Sequence, residues 1–382
     1  MAKLKVDTVT NAAGNAAPNF SDGVSIAGTA IASVNTLQYN ETTGATPSGT
    51  MLGGLWKNTA TGEFFMYTGS LGWTAITSTD AAPVWAGNTM FVAGGSPTYQ
   101  YQSSTNVIEY KSINSSANTT DFGDLSVARI SVSGVGGGGR VVMAGGQNTS
   151  GGNETVIDYI TAATPSNATD FGNLTYGRFK ISAGTTGTRA VFEAGHYHSN
   201  YGVTVIDYVT ILTAANAVDF GDPQYTHIDK GFTSNGVYLH TAGGRGDGAG
   251  SMQTHSARVT MATLGSANWS GQLSVARGMS AGVSSETRAV FVAGYGQYNA
   301  ATNVMDYYTY ANNNNAVDFG DLPSGSPYAT FSGCSNGTIG TVAGGGPYGA
   351  NKIRKITIAT PSNATEFGTL SVGRRSSCCA SA

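Results

Sequence analysis

The sequence of 382 residues predicts an all-β fold: a six-bladed β-propeller whose C-terminal strand closes the first blade, preceded by a small β module and an extended N-terminal arm. Three observations predict this fold. Two short motifs repeat in phase through most of the chain, each repeat contains four strand-like runs, and the first repeat lacks a run that occurs after the last one.

The two motifs recur about every 50 residues, a period typical of repeat folds. One is an Ala-Gly pair, which begins at Ala93, Ala144, Ala194, Ala242, Ala293 and Ala343. The other is Asp-Phe-Gly, which begins at Asp121, Asp170, Asp219 and Asp318, reads Glu366-Phe367-Gly368 in the last unit, and is replaced by Asn268-Trp269-Ser270 in the fourth. Two motifs in phase over six units exclude a chance repeat.

Each unit contains four short runs in which apolar and polar residues alternate. In the second unit these runs cover residues 129–133, 140–144, 156–162 and 169–174. β-Branched and aromatic residues are frequent in them, and Gly, Asn, Ser or Thr separates them, as expected for strands joined by tight turns. Four strands in a unit of about 50 residues predict one propeller blade.

A double glycine follows the second run in four units, as at Gly94-Gly95 and Gly145-Gly146. It resembles the double glycine of kelch-type blades, although the kelch spacing of Tyr and Trp is absent, so the chain resembles a divergent member of that class. The other two units read Gly195-His196 and Gly294-Tyr295, so we expect the second glycine to be dispensable.

The ring is expected to close through the C-terminus. The second-strand run at residues 89–93 has no first-strand run immediately before it, whereas residues 373–380 form such a run after the last repeat. Unpaired sheet edges invite aggregation, so pairing these two segments would remove both open edges.

Composition excludes several classes of protein. Only 11% of the residues are charged and the net charge is −3, so no basic surface for nucleic acid is indicated. No apolar run approaches a membrane span and no signal-peptide pattern opens the chain, so we expect a soluble protein without a secretion signal. The three cysteines, Cys334, Cys378 and Cys379, align with small residues of other first strands, and we interpret them as small packing residues around a crowded axis.

Residues 1–36 form a low-complexity opening with few large apolar side chains, so we expect a partner to order it. About 25 of these residues resemble the N-terminal segment of structural proteins of tailed bacteriophages, especially marine cyanophage fibres. The resemblance implies a virion-docking arm that contacts other virion proteins, and by analogy with phage fibres a homo-oligomer, for which we expect a trimer.

Residues 37–83 are expected to form a small β module and a linker, and residues 84–382 the propeller. Runs at 53–58, 63–67 and 72–76 predict three strands, with Trp56, Phe65, Tyr67 and Trp73 as an aromatic core. The module also resembles a small β unit of phage fibre and virion proteins.

The loops between second and third strands are the candidate binding face, because they vary while the strands repeat. They are rich in tyrosine, whose flat ring and polar tip suit stacking on sugars. The candidate ligand-binding residues are Tyr99, Tyr101, His196, Tyr197, His198, Tyr201, Tyr295, Tyr298 and Tyr348.

Catalysis is weakly indicated. A glycosidase needs two carboxylates, and these loops offer only Glu154 and Asp247, two blades apart. The aspartate of the Asp-Phe-Gly motif occurs once per blade, so we interpret it as a structural turn acceptor. His196 and His198 have no indicated third metal ligand. We therefore expect neither an enzyme nor a bound cofactor or metal.

The sequence favours a phage virion structural protein, tail-fibre-like, whose propeller is displayed for recognition of a host-surface glycan. Two alternatives remain open: a purely architectural capsid or baseplate fibre, and a polysaccharide depolymerase. Fold alone does not separate these functions.

Overall fold

The computed structural model describes residues 85–98, 100–198, 201–246, 251–323, 331–346 and 350–382, together with the backbone of six short strands before residue 85. The side chains of Tyr101, His198 and Asn299 are not among the described parts. The chain divides into two compact units, Met1–Ala81 and Ala82–Ala382.

The second unit is a six-bladed propeller in which every blade is a four-stranded antiparallel sheet. The strands of blades 1 to 3, each blade in the order first to fourth strand, are Cys378–Ser381, Thr89–Ala93, Val107–Ser112 and Thr120–Asp124; Ser133–Gly137, Arg140–Ala144, Val156–Thr161 and Thr169–Asn173; Ser182–Thr185, Arg189–Glu193, Ile206–Thr210 and Val218–Gly221. The strands of blades 4 to 6 are Gly231–Ser234, Tyr238–Ala242, His255–Thr260 and Asn268–Gln272; Ala281–Ser284, Arg288–Tyr295, Ala301–Thr309 and Val317–Asp321; Phe331–Ser335, Ile339–Gly344, Lys352–Thr357 and Thr365–Thr369.

The predicted closure is confirmed. The C-terminal strand Cys378–Ser381 pairs antiparallel with Thr89–Ala93, with Cys378 opposite Ala93 and Ser381 opposite Met90. The first strands of neighbouring blades pack against each other all the way round, including the C-terminal strand against the first strands of blades 2 and 6. Both chain ends of the propeller therefore lie in blade 1. No helix in the described part of the chain is long and apolar enough to cross a membrane.

Short elements lie outside the blades. The strand pairs are Arg129–Ile130 with Gln147–Asn148 and His196–His198 with Tyr201–Gly202, and the 3₁₀ turns are Tyr101–Ser103 and Gln297–Asn299.

In the first unit, the sheet of the small β module contains one strand more than the three that the sequence predicts. Ser25–Ile26 pairs with Thr29–Ala30, and a separate sheet runs Tyr39–Thr42, Leu55–Asn58, Phe64–Tyr67, Trp73–Ala75. The added strand Tyr39–Thr42 is parallel to Leu55–Asn58. The predicted aromatic core of this sheet lies outside the described side chains.

The Phe-Gly part of the second motif has two separate structural roles. The phenylalanine is buried, and in blade 2 Phe171 packs edge-on against Tyr159 with ring centroids 5.9 Å apart. The glycine lies at a β-bulge with φ of +139° in Gly172, and an added Cβ would lie 2.6 Å from the carbonyl oxygen of Ala215 in blade 3. Only glycine therefore lets the next blade approach.

Two details of this motif differ from the prediction. The aspartate, as in Asp170, lies in the fourth strand with an exposed side chain, not in a turn. In blade 4 the register pairs Ser256 with Gly271, so Gly271 is the equivalent of the motif glycine. The buried Ser270 then takes the place of the phenylalanine, and Trp269 is exposed.

The prediction that the second glycine of the pair is dispensable is wrong. In units three and five the Ala-Gly pair lies one residue further along the blade than in the other units. Glu193 pairs with Ser182 as Ala144 pairs with Ser133, which makes Ala194-Gly195 the equivalent of Gly145-Gly146. Gly195 has φ of +110°, and a Cβ there would lie 2.8 Å from the carbonyl oxygen of Phe179. The second glycine is thus present in all six blades, and the first is the one that alanine replaces.

A cation–π pair links most blades to the next. In blade 2 the guanidinium of Arg140 lies 4.3 Å from the ring centre of Tyr159 and donates to the carbonyl of Ile211 in blade 3. In blade 4 the two residue types exchange strands: Arg258 covers Tyr238 at 4.9 Å and donates to the carbonyl of Tyr310. The exchange preserves the same link between blades.

Candidate functional site: the mouth of the central channel

One face of the propeller carries the variable loops. In blades 1 to 5 the segment that leads into the first strand pairs with the second-to-third loop of its own blade, for example Phe179 with His196 and Ile228 with Arg245. These loops and lead-in segments therefore share one face, which we call the loop face. The first-to-second turns and the third-to-fourth loops lie on the opposite face.

The channel is covered at the opposite face. A Cβ added at Gly236 in blade 4 would lie 2.6 Å from the indole of Trp85, and one added at Gly337 in blade 6 would lie 3.8 Å from it. Blades 4 and 6 are not neighbours, so an indole that touches both turns crosses the axis. The open end of the channel is therefore at the loop face.

Five residues of the mouth share a left-handed backbone. They occupy the same position in five blades, two residues before the first strand, and their φ angles lie between +51° and +59°. They are Ser131, Lys180, Asp229, Met279 and Ser376. Such angles cost a residue with a side chain about 1–3 kcal/mol.

Backbone hydrogen bonds between blades explain this strain. Ser131 N–H donates to the carbonyl of Ser376 at 2.6 Å, and Lys180 N–H donates to that of Ser131 at 3.0 Å. Met279 N–H donates likewise to Asp229 at 2.6 Å. The backbone at this position is thus a repeated device that links neighbouring blades, whereas the side chain changes from blade to blade. A constant backbone with variable side chains around one opening is what a specialised binding site requires.

A cavity of about 460 Å³ opens at the mouth over blades 1 to 3 and reaches Met279 of blade 5. The residues that line it are mostly hydroxyl and amide side chains with two cations, namely Ser96, Thr98, Gln100, Gln102, Ile130, Ser131, Gln147, Phe179, Lys180, Met279, Arg375 and Ser376. A smaller cavity of about 90 Å³ continues along the channel between the first strands. Cavities of about 300–1,000 Å³ are typical of small-molecule sites.

A buried carboxylate organises the wall between blades 3 and 4. Asp229 Oδ1 lies 2.6 Å from Lys180 Nζ and 3.0 Å from His196 Nε2, and its Oδ2 lies 3.8 Å from Arg245 Nη2. The neighbouring Lys230 pairs with Glu193. Lys180 is partly exposed, so it is held by Asp229 while its charge faces the mouth.

Burial alone would raise the pKa of Asp229, but the charge of Lys180 and the hydrogen bond from His196 outweigh it and hold that pKa well below its usual range. Burial lowers the pKa of His196, against the opposing effect of its hydrogen bond to Asp229. At neutral pH the wall therefore contains an ionised Asp229 and a neutral His196.

The candidate residues whose side chains are described lie around this cavity and are not among the residues that line it. His196 is 2% exposed and holds Asp229, so the structure places it in the wall. Tyr197 packs against Tyr176 with centroids 4.8 Å apart, and Tyr201 and Tyr298 are 62% and 94% exposed. Tyr295 is half-buried at the end of its strand. Tyr99 and Tyr348 lie outside the described residues, and Tyr101 and His198 are described by their backbone alone.

No pattern in the sequence predicts the amide side chains that line the cavity. Gln100 and Gln102 lie in the second-to-third loop of blade 1 and Gln147 lies in that of blade 2, and these loops differ in conformation, so no pattern repeats between them. Glu154, a loop carboxylate considered for catalysis, accepts a hydrogen bond from Asn148 at 2.7 Å, and Asp247 lies outside the described residues. Among the described residues, no three His, Cys, Asp or Glu side chains group together as a metal site requires.

The sequence reasoning also missed a buried ion pair that repeats in the scaffold. In blade 3, Arg178 lies 2.9 Å from Asp207, and Thr175 donates to the same carboxylate from its backbone and its hydroxyl. In blades 2, 3 and 5 the sequence signal is Leu-Ser/Thr-x-x-Arg followed 29 residues later by Asp-Tyr, and in blade 1 its two parts lie near opposite ends of the propeller sequence, at Leu370–Arg374 and Glu109-Tyr110. The other pairs are Arg129–Asp158, Arg277–Asp306 and Arg374–Glu109.

No protein-family model and no curated protein matches the chain.

Proposed function

We propose that the chain is a bacteriophage virion structural protein, a tail-fibre-like component whose propeller recognises a host-surface glycan at the mouth of its channel. The proposal combines two independent supports. The first is the resemblance of the N-terminal segment to phage fibre proteins, and the second is the chemistry of the loop-face cavity.

The main support for glycan recognition is the set of side chains that line the cavity of about 460 Å³. Hydroxyl and amide groups such as Ser96, Gln100 and Gln102 can both donate to and accept from sugar hydroxyls. Phe179 offers an apolar ring surface for a sugar face. The exposed Tyr201 and Tyr298 stand on surrounding loops, where they would contact a longer oligosaccharide.

The charges of the lining favour a glycan that carries an acidic group. Lys180 and Arg375 are its cations, and no Asp or Glu is among the described residues that line it. A carboxylate, sulfate or phosphate on a sugar would therefore contact the cations of Lys180 and Arg375, of which Lys180 is already paired with Asp229 in the wall behind it.

The same lining is our reason to propose binding and not hydrolysis. Glycoside hydrolysis uses a pair of carboxyl groups on either side of the scissile bond. Asp229, the buried carboxylate of the wall, is engaged by Lys180 and His196.

The N-terminal arm, residues 1–36, would attach the propeller to other virion proteins, and a trimer would order it. Ordering a segment costs about 1–2 kcal/mol per residue, and this arm has few large side chains to offset the cost. A chain that starts at residue 84 should then fold as a propeller but be absent from assembled particles. Normal incorporation of that truncated chain would show that attachment lies elsewhere.

A glycan array that carries neutral and acidic bacterial-surface oligosaccharides tests recognition by the full-length protein. We expect binding to an acidic subset without release of shorter sugars. Release of products would support the depolymerase, and an absence of binding to any glycan would support the purely architectural fibre.

A further inference from the structure

Two thiols meet at the joint where the ring closes. Cys334 lies in the first strand of blade 6, and Cys379 lies in the C-terminal strand that completes blade 1. Their sulfur atoms are 2.7 Å apart, and both side chains are buried. No hydrogen-bonded ladder joins these two strands, since they belong to different sheets.

Polar contacts on both sides of the thiols hold the two strands together. Ser332 Oγ lies 3.0 Å from Ser377 Oγ, and Ser381 Oγ donates to the carbonyl of Ser335 at 2.7 Å. The sulfurs therefore lie in the middle of a contact that is held at both ends.

We propose that Cys334 and Cys379 form a reversible disulfide that covalently staples the C-terminal strand to blade 6. The oxidant is a low-molecular-weight disulfide of the glutathione type. The thiolate of Cys379 attacks one of its sulfurs and releases the first small thiol; the thiolate of Cys334 then attacks Sγ of Cys379 and releases the second. The two protein thiols lose two protons and two electrons, and the oxidant becomes two thiols.

The order of these steps follows from access. Cys379 is among the residues that line the smaller cavity in the channel, whereas Cys334 is not. Burial raises the pKa of the Cys379 thiol well above its usual range. Because the thiolate is the nucleophile, oxidation of the closed ring is slow at neutral pH and accelerates as the pH rises.

Cys378 is a natural control in the adjacent position. Successive strand residues point to opposite sides, and Cys378 packs in the cluster with Val132 and Met143, towards blade 2. Cys379 packs in the cluster with Cys334 and Ala343, towards blade 6. Only one of the two adjacent cysteines therefore faces a thiol across the joint.

The test uses the full chain, reduced, desalted and then incubated with oxidised glutathione at alkaline pH. We expect the thiols titrated in denaturant to fall from three to one and a trypsin digest to contain residues 376–382 joined to residues 289–352. Cys378→Ser should keep this cross-link, and Cys334→Ser and Cys379→Ser should each lose it. The oxidised wild-type protein should also unfold at a higher temperature than the reduced protein, and Cys334→Ser should show no such difference.

Each of three results would overturn the proposal. They are three free thiols after oxidation, a disulfide that contains Cys378, and a stable glutathione adduct on Cys379 without a cross-link. If the oxidised wild-type protein unfolded at the same temperature as the reduced protein, the disulfide would not stabilise the closure of the ring, and that part of the proposal would be wrong. The thiol count needs no variant, so the test stands even if a substituted chain fails to fold. It also stands independently of any glycan binding.

Discussion

Arg129 donates from Nη2 to Oδ2 of Asp158 across 2.6 Å, and both side chains are completely buried. Ser126 donates to the same carboxylate, and Arg129 also donates to two backbone carbonyls of its blade. The pair therefore joins the lead-in segment, the second strand and the third strand. Blade 4 has His227 and Ala257 at the equivalent positions, so both partners are replaced together there.

Removal of one partner of such a pair should cost more than removal of both. Asp207→Ala leaves Arg178 buried and without its counter-ion, and a loss of about 3–5 kcal/mol in the free energy of unfolding is expected. The double variant Arg178→His with Asp207→Ala reproduces the combination of blade 4. Its free energy of unfolding should be closer to that of wild type than the free energy of unfolding of Asp207→Ala. Urea unfolding of both proteins checks this, and a double variant less stable than Asp207→Ala would refute it.

The glycine of the Phe-Gly motif should be intolerant of alanine. At Gly172 an added Cβ would lie 2.6 Å from the carbonyl oxygen of Ala215, and φ is +139°. We expect Gly172→Ala to lower the free energy of unfolding by about 2–4 kcal/mol from strain and overpacking. Gly139→Ala is the control: φ there is +76° but nothing lies within 4 Å, so about 1 kcal/mol is expected from backbone strain alone. Equal losses at the two sites would contradict this.

Acid should destabilise blade 4 through His240. Burial, with a smaller effect from Arg258, lowers the pKa of His240 to about 3, whereas a histidine in an unfolded chain has a pKa of about 6.5. A lowered pKa in the folded state means that the contribution of His240 is complete above about pH 6.5 and is lost as the pH falls towards 3. At pH 5 this loss is about 2 kcal/mol.

Unfolding free energies at pH 7.5 and pH 5 in wild type and His240→Gln measure this effect. Glutamine keeps a polar group near Ser256, which lies 2.7 Å from the imidazole, but does not titrate. The variant should lose less stability between the two pH values, and His196 contributes equally to both proteins. An identical pH dependence would exclude His240 as the cause.

The C-terminal strand should be essential to the ring. Deletion of residues 373–382 exposes the second strand of blade 1 and the first strand of blade 6, so loss of stability and self-association are expected. A synthetic peptide of residues 373–382 added to the deleted chain should restore the monomer, whereas a scrambled peptide should not. Light scattering and thermal unfolding measure both. A deleted chain that remains monomeric and equally stable would disprove the closure as a stabilising feature.

Repetition explains why the propeller could be predicted from sequence. Each blade has the same pattern of four strands. Counting the strand-like runs in each repeat therefore showed that one is missing before Thr89 and that one is left over near Cys378. The same repetition gave a wrong equivalence at Ala194 and Ala293. The Ala-Gly pair recurs in all six units, but strand pairing in blades 3 and 5 makes these alanines equivalent to the first glycine of the other blades.

The site could be predicted only in part, because it lies where repetition stops. The loop face was identifiable from its variability, but Gln100 and Gln147 meet only through the conformations of separate loops. The position of His196 in the wall depends on Asp229, which lies 33 residues further along the chain in another blade. Contacts between single side chains of different blades leave no periodic signal in the sequence.

The proposed glycan-binding site is the cavity at the channel mouth. The most direct test measures the affinity for the best array ligand in Gln100→Ala/Gln102→Ala, beside Asn312→Ala/Asn313→Ala, which removes two exposed amides from a third-to-fourth loop on the opposite face. Loss of hydrogen bonds at about 0.5–1.5 kcal/mol each predicts at least a fivefold weaker binding for the cavity variant. The opposite-face variant should bind as wild type does. Unchanged binding by the cavity variant, or weaker binding by the opposite-face variant alone, would contradict the account.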